Sequence, residues 1–369
     1  MQVSQSVLER VRSQAALLQA KHRIPGLVVA IADHGDLIDH VSIGQADVAG
    51  GVGAGPDVQY RIGSITKTFT ASVVMQLVAE GRLDLRGPLS QGWAGAPHDD
   101  ISLADLMTHG SGLQREIGGN SWETLAFPDR EELVELANRA ERLYPQDSWF
   151  HYSNLGFALL GEMVGQVSGT SWWDVVQRRL IQPLALSRTS VAATGPVAQG
   201  YSVEPYTDQV VLEAPVDLRG LAPAGQLWST AEDLCRWSGV IAGTRPDVLG
   251  EATLNLMRAP RTIADVEHWS FGFGLGLMLL RERDTIYVGH TGGMPGFLTA
   301  VVAHPTTGLG VVLLTNTSGG IKVAGVAAQL LSMVLEGVAR EGEWVPGPPP
   351  PGRIAPLLGR WWSEWDEWI

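Results

Sequence analysis

The segment Arg61-Ile62-Gly63-Ser64-Ile65-Thr66-Lys67-Thr68-Phe69-Thr70 places a serine three residues before one of only three lysines in the 369-residue chain. Apolar residues recur at helical intervals after it and Gly81 marks the stop, which predicts a helix from Ser64 to Glu80. Side chains three residues apart on a helix share one face, with Cβ atoms roughly 5–6 Å apart. Lys67 can therefore hold or receive the proton of Ser64 while the oxygen attacks a carbonyl, so the chain is a candidate acylating serine hydrolase.

Strand patterns lie near both ends of the chain, on either side of this helix. The predicted strands cover residues 26–32, 37–43, 271–280, 285–288, 297–303 and 309–314. Two further helices are predicted over residues 4–21 and 321–338. The simplest arrangement pairs the first hairpin with the late strands in one antiparallel sheet, with helices from both chain ends packed on it.

Residues 100–260, between the two strand regions, have a mostly helical pattern with long loops. Helix starts are predicted at Ser102, Asp129, Asn154, Thr170 and the capping box Ser229-Thr230-Ala231-Glu232. We therefore predict an α+β fold in which an antiparallel sheet flanked by helices carries an inserted, mostly helical lobe. A catalytic domain of residues 1–340 would comprise an α/β lobe (1–85 and 265–340) and a helical lobe (86–264), with the active site in the cleft between them.

Residues 341–369 are predicted to form a proline-rich linker and a tryptophan-rich tail. The run 345–352 reads Val-Pro-Gly-Pro-Pro-Pro-Pro-Gly, which is typical of a stiff linker. Five of the 13 tryptophans follow residue 343, in a stretch too short to bury them alone. We expect the tail to dock on the body of the protein, to form an oligomer contact, or to begin a C-terminal domain that is incomplete here.

The charge of the chain argues against two classes of partner. A net charge of −13 repels both nucleic acid phosphates and anionic membrane surfaces.

The first residues carry charges where a signal peptide needs its apolar stretch, and no run approaches ~18 apolar residues. The expected location is cytoplasmic, or periplasmic or secreted if a leader has been trimmed.

The sequence gives no signal for a metal or a cofactor. His109, His151 and His304 are isolated, without the His, Cys and Glu spacing of a zinc site. The alternating glycines of residues 272–276 lack the strand–turn–helix context of a nucleotide loop and indicate a glycine-softened strand. The single cysteine, Cys235, cannot form an intrachain disulfide and is expected to be a small buried side chain.

Two further motifs carry groups suited to acyl transfer. In Tyr152-Ser153-Asn154, an extended segment would direct the phenol and the amide to one side, where they could serve as base and positioning group. In His290-Thr291-Gly292-Gly293, the glycines let a substrate backbone approach an edge strand, Thr291 offers a hydroxyl and His290 titrates near neutrality. Taken singly, each motif also fits an ordinary structural role: a helix cap with a packed tyrosine, or a glycine-rich turn.

Together the three motifs resemble those of the serine β-lactamase and penicillin-recognising enzyme family. In that family Ser-x-x-Lys, a Tyr-x-Asn or Ser-x-Asn element, and a Lys/His-Thr-Gly strand converge. The tyrosine form points to the class C β-lactamase branch with its D,D-peptidase, D-aminopeptidase and esterase relatives. The resemblance runs from about residue 5 to 338 and includes the segments 108–113, 223–230 and 308–316.

The resemblance implies a role for each matching residue. Ser64 would be the nucleophile, Lys67 its activating partner, Tyr152 the base and later the acid, and Asn154 a positioning group. The backbone N–H groups of Ser64 and Gly293 would form the oxyanion hole.

A departure from the family pattern bears on the substrate. His290 stands where β-lactamases usually have lysine, as in some D,D-peptidases and esterases, and this argues against efficient β-lactam hydrolysis. Thr291 and Gly292 are implied to lie along the bound substrate.

The first hypothesis is therefore a serine hydrolase that acts through an acyl-enzyme on a small ester, amide or D-amino-acid peptide. Esterase, D-amino-acid peptidase and D,D-carboxypeptidase-like activities all fit it. The alternatives are acyl transfer to a small acceptor, weak β-lactamase activity, and a non-catalytic module that binds acyl ligands.

Overall fold

The computed structural model describes residues 3–337, 361–362 and 367–368. The strands in these residues are, in chain order, β1 (Gly26–Asp33), β2 (Asp36–Asp47), β3 (Val52–Gly53), β4 (Tyr60–Arg61), β5 (Tyr201–Val203), β6 (Val210–Leu212), β7 (Trp228–Ser229), β8 (Thr262–Ile263), β9 (Phe271–Phe273), β10 (Met278–Glu282), β11 (Thr285–Met294), β12 (Phe297–Ala303), β13 (Leu309–Thr315), β14 (Trp361–Trp362) and β15 (Glu367–Trp368).

The α-helices of the described residues are α1 (Gln5–His22), α2 (Thr66–Ala79), α3 (Leu103–Met107), α4 (Ser121–Thr124), α5 (Arg130–Ala137), α6 (Asn154–Ser168), α7 (Trp172–Val176), α8 (Ala222–Gly225), α9 (Ala231–Ala242), α10 (Glu251–Arg258) and α11 (Val323–Glu336). Three short 3₁₀ turns cover Gly63–Ile65, Leu89–Gln91 and Arg219–Leu221, and a π-helical turn covers Gln177–Ile181.

The main sheet joins the two ends of the chain. Its nine strands in the described residues follow the order β3-β2-β1-β13-β12-β11-β10-β9-β8, and neighbouring strands are antiparallel. The first hairpin therefore meets the late strands where β1 pairs with β13, from Leu27 opposite Thr315 to Asp33 opposite Leu309. The predicted α+β fold is confirmed, with a largely helical segment between the two parts of the sheet.

Side chains of β1 alternate between two hydrophobic cores, because successive residues of a strand point to opposite faces. Leu27, Val29 and Ile31 lie in the core that contains α1 and α11. Val28, Ala30 and Ala32 lie in the larger core, which extends through α2, α6 and α9. All these side chains are buried, and the sheet therefore separates the terminal helices from the helices of the central segment.

Several element boundaries differ from the sequence prediction. The stretch 271–280 forms two strands, β9 and β10, because a turn with a hydrogen bond from Gly274 N to Leu277 O interrupts it. The strand predicted over 285–288 extends to Met294, where it carries the glycine motif. The helix predicted at Thr170 begins at Trp172 with Ser171 as its cap.

The predicted capping box at residues 229–232 is also shifted. Thr230, and not Ser229, is the N-cap of α9, and its side chain accepts a hydrogen bond from Asp233 N. Ser229 belongs to β7 and its hydroxyl bonds to Thr189 instead. Cys235 in the same helix is fully buried, as expected.

The predicted linker 345–352 and most of the tryptophan-rich tail lie outside the described residues. The two described pairs of the tail, β14 and β15, form a two-stranded antiparallel ladder in which Trp361 is opposite Trp368. The domain boundaries and the oligomer contact assigned to this tail stay predictions.

Candidate active site

Ser64 lies in the 3₁₀ turn Gly63–Ile65, directly before α2. Gly63 has φ +49°, and a Cβ atom at this position would lie 2.7 Å from Gly293 N. Only glycine permits so close an approach in this left-handed conformation. The turn thus brings the backbone of Ser64 beside Gly293 on β11.

Lys67, the second residue of α2, is fully buried. Its Nζ is 3.1 Å from Ser64 Oγ, 2.7 Å from Asn154 Oδ1 and 2.7 Å from the carbonyl oxygen of Ala224. Burial holds the pKa of Lys67 well below its usual value, while Glu116 opposes this shift and Arg115 adds to it. A lysine in this setting can be a neutral amine that accepts a proton.

The Ala224 carbonyl is fixed by the short helix α8. Thr70 on α2 donates a hydrogen bond of 2.8 Å to the adjacent Pro223 carbonyl, and Trp172 Nε1 donates to Thr70 Oγ1 at 3.0 Å. These bonds hold α8 against α2, which carries Lys67. They therefore keep the Ala224 carbonyl oxygen within hydrogen-bond distance of Lys67 Nζ.

Asn154 connects Lys67 to an acidic residue. Its Oδ1 accepts from Lys67, and its Nδ2 donates to Glu116 Oε1 at 2.7 Å, which fixes the orientation of the amide. The preceding Ser153 caps α6 by accepting from Gly156 N at 3.0 Å. The cap places Asn154 at the first position of the helix and leaves Tyr152 in the extended segment before it.

Tyr152 adjoins both members of the serine–lysine pair. Lys67 Nζ lies 4.9 Å from the centroid of its ring. Burial raises the pKa of the Tyr152 phenol, and a hydrogen bond with Ser64 opposes this rise. The phenol is therefore protonated at neutral pH.

His290 lies on β11, paired with Val301 of β12, and is buried. Its Nδ1 is 2.6 Å from the carbonyl oxygen of Thr291, so this nitrogen carries the proton and donates it. Burial, with a further contribution from the charge of Lys67, lowers the pKa of His290 to about 3. The imidazole is thus neutral at neutral pH and supplies no positive charge.

The residues of the motif Thr291-Gly292-Gly293 lie in two different places, at the cavity wall and in the protein interior. Thr291 and Gly293 line the cavity beside Ser64. Gly292 is buried, and a Cβ there would lie 1.9 Å from the carbonyl oxygen of Ile62. The structure therefore gives Gly292 a packing role behind the serine turn and does not bring it to the cavity wall.

The site opens into a cavity of about 850 Å³. Apolar side chains form most of its wall, including Trp122, Phe150, Leu218, Leu221, Phe271, Phe273, Met278, Met294 and Leu298. Among the described residues that line it, the charged side chains are Arg115 and Glu116. Such a cavity suits a mainly apolar ligand with few polar contacts.

Three residues near the site were missed by the sequence prediction. Glu116 holds Asn154, and Arg115 Cζ lies 5.1 Å from the centroid of the Tyr152 ring. His109, predicted to be isolated, lies with its ring centroid 4.2 Å from that of Tyr152. His109 belongs to a segment already identified in the resemblance, whereas nothing in the local sequence distinguished Arg115 or Glu116.

The part of the chain that the structure describes lacks both a metal-binding cluster and a membrane-spanning helix. It contains no group of three or more His, Cys, Asp or Glu side chains that could hold a metal ion. None of its helices combines the length and hydropathy needed to span a membrane.

Comparisons with known proteins identify the family of the chain. The profile of the family described as "Beta-lactamase" matches residues 11–335. Penicillin-binding protein 4 of Amycolatopsis lactamdurans is 30% identical over 94% of this chain and 95% of its own length.

Solved structures similar to this chain include a penicillin-binding protein homologue and an amidohydrolase. A D-stereospecific amidohydrolase from Streptomyces sp. superposes with a TM-score of 0.73 at 26% identity, covering 89% of this chain and 99% of that one. An octameric penicillin-binding protein homologue from Pyrococcus abyssi has a TM-score of 0.77 at 24% identity, covering 89% and 77%, and supports the fold alone. The resemblance drawn from the three motifs is confirmed: the chain belongs to the β-lactamase family, whose penicillin-binding and amidohydrolase members support hydrolase activity in general.

Proposed function

We propose that the chain is a serine hydrolase that cleaves an ester or amide bond through an acyl-enzyme on Ser64. The observation that carries the proposal is the buried amine of Lys67, 3.1 Å from Ser64 Oγ and held by two other acceptors. A desolvated lysine beside a serine at a helix start activates that serine as a nucleophile. The presence of all three motifs around Ser64 argues against a module that only binds acyl ligands.

The pKa directions suggest an order for the proton transfers. Lys67, with its lowered pKa, takes the Ser64 proton as Oγ bonds to the substrate carbonyl carbon. Tyr152, whose phenol is protonated, donates to the leaving alcohol or amine as that bond breaks, and the Lys67 ammonium then returns a proton to the phenolate. Water repeats the exchange with Ser64 as the leaving group. In this order Lys67 is the first base, as the spacing of Ser64 and Lys67 allowed, whereas the family resemblance gave that role to Tyr152.

The adjacent backbones of Ser64 and Gly293 support an oxyanion hole at this point. Their N–H groups would stabilise the negative charge that develops on the carbonyl oxygen in the tetrahedral intermediate. The neighbouring Gly63, whose Cβ position lies 2.7 Å from Gly293 N, keeps the two segments close enough for this role.

The test is intact-mass measurement after exposure to a p-nitrophenyl ester, a fluorophosphonate and a penicillin, with Ser64→Ala as the control. We expect the wild type to gain one adduct with the ester and the fluorophosphonate, and the variant to gain none. Absence of adduct and of hydrolysis with all three reagents would overturn the proposal.

The cavity favours substrates without a carboxylate next to the scissile bond. His290 is neutral, and the one cationic side chain among the described lining residues, Arg115, contacts Glu116 Oε1 at 3.3 Å. The one cationic side chain among these lining residues thus already contacts a carboxylate, which weakens its attraction for the carboxylate of a penicillin or of a C-terminal D-amino acid. We expect acylation by penicillin to be slower than acylation by an uncharged ester.

Glu116 favours a substrate with a free amine. Its side chain is 29% exposed and lines the cavity, whereas its Oε2 atom is buried and has no hydrogen-bond partner among the described residues. An ammonium group in the cavity could pair with the exposed part of this carboxylate through a charge-assisted hydrogen bond, in addition to the contact that Glu116 makes with Arg115. Because the Streptomyces relative is a D-stereospecific amidohydrolase, we propose amides or esters of D-amino acids as the substrate class.

Paired substrates test this finer proposal. D-Phenylalaninamide should be cleaved with a kcat/KM at least ~10-fold above that of its N-acetyl derivative, since one charged hydrogen bond contributes about 1.5–3 kcal/mol. The L enantiomer should be the poorer substrate. Equal rates for the free and the acetylated amine would remove the role of Glu116 while leaving the acyl-enzyme proposal intact.

A further inference from the structure

His109 contacts the segment of Tyr152 at three points. Its carbonyl oxygen accepts a hydrogen bond from His151 N at 2.9 Å, and its Nδ1 accepts one from Ser153 N at 3.2 Å. Its ring lies 4.2 Å from the Tyr152 ring, with an angle of 31° between the planes. One fully buried residue thus holds the neighbours of Tyr152 on both sides and also one face of its ring.

The backbone of His109 is in an uncommon conformation. It follows the cap of α3 with φ +59°, in the left-handed region that glycine usually occupies after a helix. A residue with a Cβ atom holds this conformation at a cost of roughly 1–2 kcal/mol. Glycine would avoid the cost, and a histidine here indicates that the side chain itself is needed.

The ring of His109 is fixed in one orientation and one tautomer. Because Nδ1 accepts from Ser153 N, the proton is on Nε2, and the ring packs against Phe150, Phe157 and Phe273. Burial and the charge of Lys67, with smaller contributions from His290, Arg115 and His151, hold the pKa of His109 well below its usual value. A neutral, immobile ring therefore lies against the phenol at neutral pH.

Aromatic neighbours alone would not orient Tyr152 in this way. Phe273 also approaches it, with ring centroids 6.2 Å apart, but makes no hydrogen bond to the segment that carries the tyrosine. His109 combines ring contact with two hydrogen bonds to the adjoining backbone. These contacts restrict both the position of the segment and the rotation of the ring, which sets the direction of the phenol toward Ser64.

We propose that His109 is a positioning residue for Tyr152, which it holds in the orientation needed for proton transfer to the leaving group. The inference rests on the proposed role of Tyr152 as proton donor. His109 is absent from the residues that line the cavity, so we expect its effect on the reaction to pass through the tyrosine. Its removal is expected to lower kcat with little change in KM.

A double-mutant cycle tests the proposal. His109→Asn keeps a short acceptor and tolerates the left-handed backbone, but removes the ring. We expect it to lower kcat ~10–100-fold toward an amide, whose leaving amine must be protonated, in the wild-type background, and to cause no further loss in Tyr152→Phe. His109→Phe, which keeps a ring but loses the acceptor, should recover part of the activity. His304→Asn, a partly buried histidine outside the cavity, is the matched control and should leave the rate unchanged.

The outcomes separate the two proposals. If Tyr152→Phe retains full activity, the proton-donor role fails and this inference fails with it. If Tyr152→Phe is impaired and His109→Asn reduces its rate by the same factor as in the wild type, His109 has no special link to Tyr152 and only this inference is overturned. A raised KM with unchanged kcat in His109→Asn would also overturn it. Circular dichroism of each variant identifies any that do not fold, and His109→Phe supplies the measurement in that case.

Discussion

The catalytic cavity and a second cavity of about 730 Å³ are similar in volume but differ in chemistry. The two cavities share the segment 217–226, whose residues divide between their walls. In the second cavity Glu162 accepts from Arg130 and Gln166, and the Ser171 hydroxyl bonds to Asp174. These polar groups of the second cavity form hydrogen bonds to other side chains of the protein, which stabilise the fold.

In and beside the catalytic cavity, several polar groups lack a hydrogen-bond partner or have a pKa far from its usual value. Lys67 is buried without a direct carboxylate contact, Glu116 Oε2 has no partner among the described residues, and His290 has a pKa of about 3. Buried groups of this kind cost stability and concentrate at functional sites. The comparison teaches that the state of the polar groups, rather than volume, distinguishes the active site.

The strongest test of this difference compares two lysines. Lys67→Ala is expected to lower kcat/KM by roughly 10³-fold, because the base beside Ser64 is lost. Lys322→Ala, at the exposed start of α11, should leave the rate unchanged. Steady-state hydrolysis of a p-nitrophenyl ester measures both. Small and equal losses would remove the role of Lys67 and with it the contrast between the cavities.

A second test compares the two glutamates. Glu116→Gln should lower kcat/KM ~10–100-fold for D-phenylalaninamide and much less for its N-acetyl derivative, since only the free amine gains a charged hydrogen bond. Glu162→Gln, in the second cavity, should lower the melting temperature through loss of the Arg130 ion pair, without changing the preference between the two substrates. A substrate preference that survives Glu116→Gln would assign amine recognition elsewhere.

A third test uses the pH dependence of stability. Above pH ~6.5, His290 is neutral in both the folded and the unfolded chain. As the pH falls from there toward 3, the unfolded chain takes up a proton that the folded chain does not, and stability decreases by about 1.4 kcal/mol per pH unit for this group. His290→Gln should reduce the slope of unfolding free energy against pH by that amount, as measured by urea denaturation. An unchanged slope would show that His290 is protonated in the folded protein.

The smallest expected effect concerns the serine of the second cavity. Ser171 caps α7 by accepting from Asp174 N at 3.1 Å, so Ser171→Ala should cost about 1 kcal/mol of stability. Its hydrolysis rate and its acylation by a fluorophosphonate should equal those of the wild type. Ser64→Ala should do the reverse, with acylation lost and stability nearly retained.

Local patterns predicted much of the fold and the reacting groups. Spacing alone placed Ser64 and Lys67 on one helix face, and alternation identified both parts of the sheet. The turn at 274–277 was missed because alternating glycines are compatible with a strand until the tertiary packing of β9 and β10 is known. Glu116 was missed for a different reason: its contact with Asn154 joins residues 38 positions apart, and no local pattern encodes it.

The pairing of β1 with β13 has a consequence for the order of events during synthesis. Ser64 emerges early, but Gly293 and the strand that anchors it to β1 are made some 230 residues later. A nascent chain therefore contains Ser64 long before it contains Gly293, whose N–H group is proposed to stabilise the oxyanion formed when Ser64 reacts. Closing such distant contacts is slow, and reactivity should appear only when the last strand enters the sheet. Chains truncated before Gly293 are accordingly expected to be inert toward fluorophosphonates, which protects the unfinished protein from acylation.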